Sequence, residues 1–400
     1  MENSFDWNKV LQNDADTGQP NAPDGELETG GEIASGPQND ETEVRGIDDI
    51  HVDDLMRMCA DRQGSDLHLT VGLPPTIRLD GELVHLPFRV LTGLDIQRLV
   101  YDILSDEQIK DFERTKELDF SYGFKGVGRF RINVYMQRDS VGAAVRLIPS
   151  EIPTFEELRL PPLMRELAQR TSGLILVTGP TGCGKSTTIA AMVDDINSHR
   201  RCHIMTIEDP IEYLHYHKSA MVNQREVHSD TLSFANALRA VLREDPDVIL
   251  VGEMRDLETI SAALTLAETG HLVFGTLHTC NAPQAVDRIV DVFPPEQQEQ
   301  IRVLLGNTLE SVVAQQLLPR MGGGRIAAIE IMIGTPAIKN LIREGKTHQM
   351  YSVLETSSQH GMQTMDSALV DLYRNGYVSW EEALMRAIDR EAFQKQAKAA

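Results

Sequence analysis

Residues Gly173–Gly179 read as one apolar strand, GLILVTG, that runs straight into Gly179-Pro-Thr-Gly-Cys-Gly-Lys-Ser186. A helical segment, Thr187–Asn197, follows at once. The stretch fits GxxxxGK[ST] in the setting that pattern requires: strand, loop, helix. From Thr171 onward, strand, turn and helix keep alternating, which is the signature of a mostly parallel α/β sheet. Glycines at 179, 182 and 184 let the backbone turn its N–H groups inward around phosphate oxygens. The helix N-terminus adds a favourable dipole. Lys185 is placed to neutralise the β- and γ-phosphates, and the Ser186 hydroxyl to ligate Mg²⁺. The expectation is an ATP cradle of Gly179, Pro180, Thr181, Gly182, Cys183, Gly184, Lys185, Ser186 and Thr187. Cys183 has two open readings. It is a small spacer pointing away, or a thiol of lowered pKa whose oxidation blocks nucleotide binding.

A cradle binds nucleotide, but hydrolysis also needs a held metal and an activated water. Two apolar strands end in acids: His203–Glu212 (HIMTIEDPIE) and Asp247–Glu253 (DVILVGE). Parallel strands deliver side chains at their carboxyl ends, so both acids should face the phosphate loop. Glu253 sits where such ATPases carry a metal-holding carboxylate. Glu212 is chosen as the general base that orients water, with Glu208 and Asp209 next in line. A third apolar strand, within Gly270–Thr279, has His271 and His278 at its two ends. His278, at the carboxyl end, is the candidate γ-phosphate sensor. His271 reads equally well as a satisfied structural residue.

The first 46 residues are of another kind. Residues 1–50 hold thirteen Asp/Glu against two Lys/Arg, half of a net charge of -22. Residues 1–46 have few aromatics and no periodicity, the composition of a disordered acidic tail. Residues 47–150 read as a small α+β domain. In it, Ile50, Leu55, Met58 and Cys59 share a helical face. Strands follow at Asp66–Thr70 and Ile77–Leu79, with a hairpin turn at Asp80-Gly81. A helix near Thr92–Leu104 and three more strands complete it. Prolines 149, 153, 161 and 162 mark a linker over 151–170. Residues 171–400 form the ATPase domain, whose strands fade past about Asn281 into helical pattern. The acidic balance works against nucleic-acid binding. No run of about 18 apolar residues predicts a membrane span. No basic-then-apolar start suggests a secretory signal. The four cysteines show no CxxC spacing and fit a reducing cytoplasm.

Several longer segments resemble the secretion ATPase superfamily. LREDPDVILVGEMRD (Leu242–Asp256) is similar to that superfamily's signature segment, TIEDPIEY to its Asp box and GHLVFGTLHT to its His box. Within it the chain resembles the pilus retraction ATPase family. GSDLHLTVGLPPTIRLDG, GRFRINVYMQ, VNQREVHSDTLSF and DRIVDVFP carry that likeness. So does IEIMIGTPAIKNLIREGKTHQMYS, in which Lys339 stands where the family writes Arg. The resemblance spans residues 47–395.

The resemblance implies a RecA-like P-loop core, a PAS-like N-terminal domain and a helical C-terminal region. It implies a homohexamer that uses ATP and Mg²⁺ to retract type IV pili. It also implies a cytoplasmic location, peripheral to the inner membrane through a platform protein, with no direct insertion. Arg129, Arg131 and Arg146 match the family's N-domain arginines that reach the phosphates. The residues agree, since Arg129 and Arg131 lie on one face of a strand. Rival expectations are an accessory retraction, extension or type II secretion ATPase, a DNA translocase, and an ATP-binding scaffold without turnover. AIKNLIRE is expected to couple the motor to retraction, so that replacing Leu341 and Ile342 abolishes retraction with ATPase intact.

Overall fold

The structure is a computed structural model that describes residues 45–398 except 80, 125–126 and 149–150. The acidic-tail reading of residues 1–46 lies outside the described residues, save for its last two.

The N-terminal part is built on an all-antiparallel sheet of six strands. These are β1 (Asp66–Leu69), β2 (Thr76–Leu79), β3 (Glu82–His85), β4 (Glu117–Phe124), β5 (Gly128–Gln137) and β6 (Ser140–Ile148). Their order is β3-β2-β1-β6-β5-β4. One face of the sheet carries the apolar residues. On β5, Phe130, Ile132 and Val134 are buried, and Arg129 and Arg131 alternate with them on the other face. The helix Val52–Asp61 packs Val52, Leu55, Met56 and Cys59 into the same core. The helix expected near Thr92–Leu104 spans Gly93–Tyr101, with Thr92 and Asp95 forming a capping box at its start. A further helix, Asp106–Thr115, had no expectation attached. It buries only Phe112 and has Ile109 as its one other apolar residue, too few to mark a core-facing helix in the sequence.

The ATPase part is a seven-stranded sheet. Its strands are β7 (Gly173–Thr178), β8 (His203–Glu208), β9 (Met221–Glu226), β10 (Val248–Val251), β11 (Leu272–Leu277), β12 (Leu309–Pro319) and β13 (Arg325–Ile333). The order is β13-β12-β7-β11-β10-β8-β9, and only the β12–β13 pair is antiparallel. Helices cover both faces, so β7, β10 and β11 are buried along their whole length. That double burial explains their unbroken apolar runs.

Two expectations change here. Strands do not fade past Asn281: β12 and β13 complete the sheet, and the purely helical region begins at Pro336. Neither strand alternates. β12 is central and buried on both faces, and β13 (RIAAIEIMI) is rich in residues that also favour helices. Nor is 151–170 a bare connection. It holds the helices Phe155–Leu158 and Pro162–Ala168, whose Phe155, Met164 and Leu167 are buried against Ile175, Val177 and Met192. Pro162 opens the second helix, where its missing N–H costs nothing.

The AIKNLIRE segment forms the helix Pro336–Arg343. Ile338 and Ile342 are fully buried in the core and Leu341 is half-buried beside it. Replacing Leu341 and Ile342 would therefore remove core packing, so the pair cannot isolate coupling to retraction. Lys339 pairs with Glu310 at 3.1 Å. Among the described residues, no helix is long and apolar enough to cross a membrane.

Candidate nucleotide site

Strands β7, β8, β10 and β11 run parallel, so their carboxyl ends share one edge of the sheet. The phosphate loop leaves that edge after β7, Glu208 ends β8, Glu253 follows β10 and His278 follows β11. The convergence expected for the acidic strands is thus a consequence of the topology.

The loop has the form of a cradle. Gly179, Gly182 and Gly184 have φ of 143°, 77° and 89°, where a Cβ is strained. A Cβ on Gly179 would also run into the Gln315 carbonyl and lie 2.6 Å from the Cys183 Sγ. The helix Lys185–His199 starts directly after Gly184, two residues earlier than expected. Lys185 is 9 % exposed, and its Nζ donates to the carbonyls of Gly179 at 2.8 Å and Pro180 at 3.2 Å. The Thr187 hydroxyl meets the Tyr213 hydroxyl at 2.9 Å, tying the loop's helix to the segment after β8. Buried hydroxyls of Thr178, which ends β7, and Thr279, beside His278, have no partner. Two orphaned hydroxyls at this edge suit a polar ligand.

Burial favours the spacer reading of Cys183 over the reactive thiol. Cys183 is buried, and burial pushes its pKa up despite the opposing field of Lys185. His271 serves the fold: its Nδ1 lies 2.9 Å from the Leu266 carbonyl near the end of the preceding helix.

The acids fall into two groups. Glu208 is tied down: its carboxylate accepts from the Thr206 hydroxyl at 2.6 Å and from Gln224 Nε2 at 3.2 Å. Desolvation drives its pKa up to about 7, against hydrogen bonds from Thr206, Gln224 and the Glu212 backbone N–H. Asp209 and Glu212 are exposed beside it. In the second group Glu253 accepts from Arg255 and lies 2.6 Å from His278 Nε2. Burial favours its neutral form, but the bonds from Arg255 and His278 outweigh that and hold its pKa below the ordinary range.

Glu208 makes stability depend on pH. Its folded pKa lies above the ordinary 4.5, so between about pH 4.5 and pH 7 the folded chain binds more protons than the unfolded one. Stability contributed by this group therefore falls as pH rises through that window. Melting curves from pH 5 to pH 8 should show Glu208→Gln gaining on the wild type as pH rises. Parallel curves would mean that Glu208 is ionised throughout.

The three arginines share one face of the N-terminal sheet. Ser121, Arg131, Arg146, Asp66 and Arg78 stand directly across from one another on β4, β5, β6, β1 and β2. Like charges side by side are unfavourable, and carboxylates offset them here. Arg131 pairs with Asp119 at 2.6 Å and Arg146 with Asp66 at 2.8 Å. The Asp119 hydrogen bond raises the Arg131 pKa, and the fields of Glu212 and Asp209 add to it. Arg129 donates to Glu226 at 2.7 Å. The same Glu226 oxygen accepts from the Ser121 hydroxyl and from the backbone N–H of Ile211, next to Glu212. Arg129 thus engages a carboxylate bonded to the Asp-box segment, while Arg131 and Arg146 engage carboxylates of their own sheet. None hydrogen-bonds to a phosphate-loop residue.

Sequence reasoning missed Gln315, Tyr213, Arg255 and Glu226. Glu226 and Arg255 lie inside segments that carried the family likeness, VNQREV and GEMRD, but nothing in their spacing marks a partner. Gln315 lies on a strand that was read as helix.

The family model for type II/IV secretion system proteins matches residues 154–385. The type IV pilus retraction ATPase PilT of Pseudomonas aeruginosa is 53% identical over 344 residues, which are 86% of this chain and 100% of that protein. The type IV pilus ATPase PilU of the same bacterium is 42% identical over 334 residues, 83% of this chain and 87% of that one. A crystal structure of the pilus retraction motor PilT with bound ADP superposes with a TM-score of 0.81 at 50% identity, covering 87% of this chain and all of that one.

Proposed function

We propose that this chain, which belongs to the type II/IV secretion system protein family, is an ATP-hydrolysing motor that retracts type IV pili. The observation that carries the reading is the likeness to a pilus retraction ATPase over that protein's full length, together with a formed phosphate cradle at the shared strand edge. Identity is higher to the retraction ATPase than to PilU, which favours the main motor over an accessory one.

The roles follow from the residues. Backbone N–H groups of Gly182, Cys183 and Gly184 and the Lys185 ammonium hold the phosphates. Ser186 and Glu253 would hold Mg²⁺, which supplies charge neutralisation across the phosphates when bound. Glu212 accepts a proton from the attacking water. His278, within reach of Glu253, senses the γ-phosphate. Arg129, Arg131 and Arg146 swing from their carboxylate partners toward the phosphates when the N-terminal domain closes. That adds positive charge where negative charge develops. A homohexamer at the cytoplasmic side of the inner membrane would pass this motion to a platform protein.

Deleting the gene in its own host tests the reading. Surface pili should accumulate and twitching should stop, and the wild-type gene should restore it. Loss of pili instead would make the chain an extension motor. Unchanged pili and twitching would remove it from pilus biology.

A further inference from the structure

Strand β12 lies beside β7, and their last paired residues are Ala314 and Thr178. β12 continues to Pro319, paired with β13. The next residue, Gln315, therefore stands against the start of the phosphate loop. It is 1 % exposed. Its backbone carbonyl is what a side chain on Gly179 would strike. Its side-chain amide is used at both ends. Nε2 donates to the Cys183 carbonyl, and Oε1 accepts from the Thr188 hydroxyl at 3.0 Å.

The first bond has a consequence for the loop. A trans peptide is planar, and its C=O and N–H point in opposite directions. Holding the Cys183 carbonyl against β12 turns the Gly184 N–H the other way, into the cradle. At φ 89° Gly184 has no intrinsic preference that would fix this orientation. The second bond fixes the amide, so that nitrogen and not oxygen faces the loop. It also ties the first turn of the helix Lys185–His199 to the same strand.

We infer that Gln315 is a positioning residue for nucleotide binding, a lock on the Cys183–Gly184 peptide that aims the Gly184 N–H at a phosphate oxygen. The inference rests on the nucleotide-binding reading. The lock is a neutral amide that touches no phosphate itself. Its effect is preorganisation: without it the loop must find the binding orientation each time a nucleotide arrives.

The test uses the full chain, steady-state MgATP hydrolysis and calorimetric ADP binding. Gln315→Met keeps the volume and removes both bonds. The KM for MgATP and the Kd for ADP should each rise about tenfold. The kcat should change by less than about threefold, because the loop is in place once nucleotide is bound. Gln315→Glu keeps the acceptor for Thr188 and sets a carboxylate against the Cys183 carbonyl. Its KM should rise at pH 8 and fall back toward wild type at pH 6. A buried carboxyl of raised pKa regains a donor proton there. A residue that merely fills space would give no such pH-dependent rescue. Unchanged KM and ADP affinity in Gln315→Met overturn the lock, whatever happens to its melting temperature. Should that variant fail to fold, a pH-independent KM in Gln315→Glu overturns it equally. A wild type that neither binds ADP nor hydrolyses ATP would sink the nucleotide reading itself.

Discussion

Lys185→Ala is expected to lower MgATP turnover about a thousandfold, the scale on which loss of a preorganised charge in a phosphate or oxyanion site is felt. The side chain is not a surface lysine that reaches in when needed. It is already buried in the loop, bonded to the Gly179 and Pro180 carbonyls. Those carbonyls hold the ammonium in place. A triphosphate that enters the cradle then meets a cation whose desolvation has largely been met by folding. In a site walled by Gln315 and the buried β7, that charge acts through a lower dielectric than water. Removing it frees the Gly179 and Pro180 carbonyls, which belong to the loop and to neither apolar core beside it. The fold should therefore survive, with a melting temperature within a few degrees of wild type. Turnover and melting measured on one preparation separate the cases. A Lys185→Ala protein that hydrolyses within tenfold of wild type would mean that the cradle does not bind the reacting phosphates.

The parts of this site that could be read in the sequence are those whose chemistry and local conformation coincide. The phosphate loop is contiguous, its glycines are needed for backbone reasons, and its strand and helix flank it directly. Glu208, Glu253 and His278 each follow an apolar run, so a parallel sheet was enough to bring them to one edge. What stayed hidden depends on pairs distant in the chain. Gln315 matters because β12 lies beside β7, and nothing in LESVVAQQLLP announces this. A strand buried on both faces loses the alternation that marks a half-buried one. Arg129 was legible as a cation on a strand face. Its partner Glu226, 97 residues away, was not. Cys183 shows the converse. Its neighbours in sequence, a lysine and a helix N-terminus, favour a thiolate, but burial against Gly179 pushes the thiol's pKa up.

Glu212→Gln is expected to cut turnover at least a hundredfold while ADP affinity stays within about threefold of wild type, the usual range for a lost general base. Glu208→Gln should cost less than about tenfold. Two carboxylates four residues apart compete for the role, and their surroundings separate them. Glu208 is held inside the sheet edge by Thr206 and Gln224, and it also accepts the Glu212 backbone N–H. With its pKa at about 7, it shares a proton with solvent at neutral pH and lacks the freedom to follow a water. Glu212 is exposed, within the field of Arg131, on a segment pinned by Glu226 through Ile211 and by Thr187 through Tyr213. A group that is mobile at its tip but anchored on both sides can reach the γ-phosphate from a fixed root. Glu208 then acts as part of that root. The opposite ranking would make Glu208 the base. Its pKa would then appear in the pH–rate profile, with turnover rising through pH 7 in the wild type and flat in Glu208→Gln.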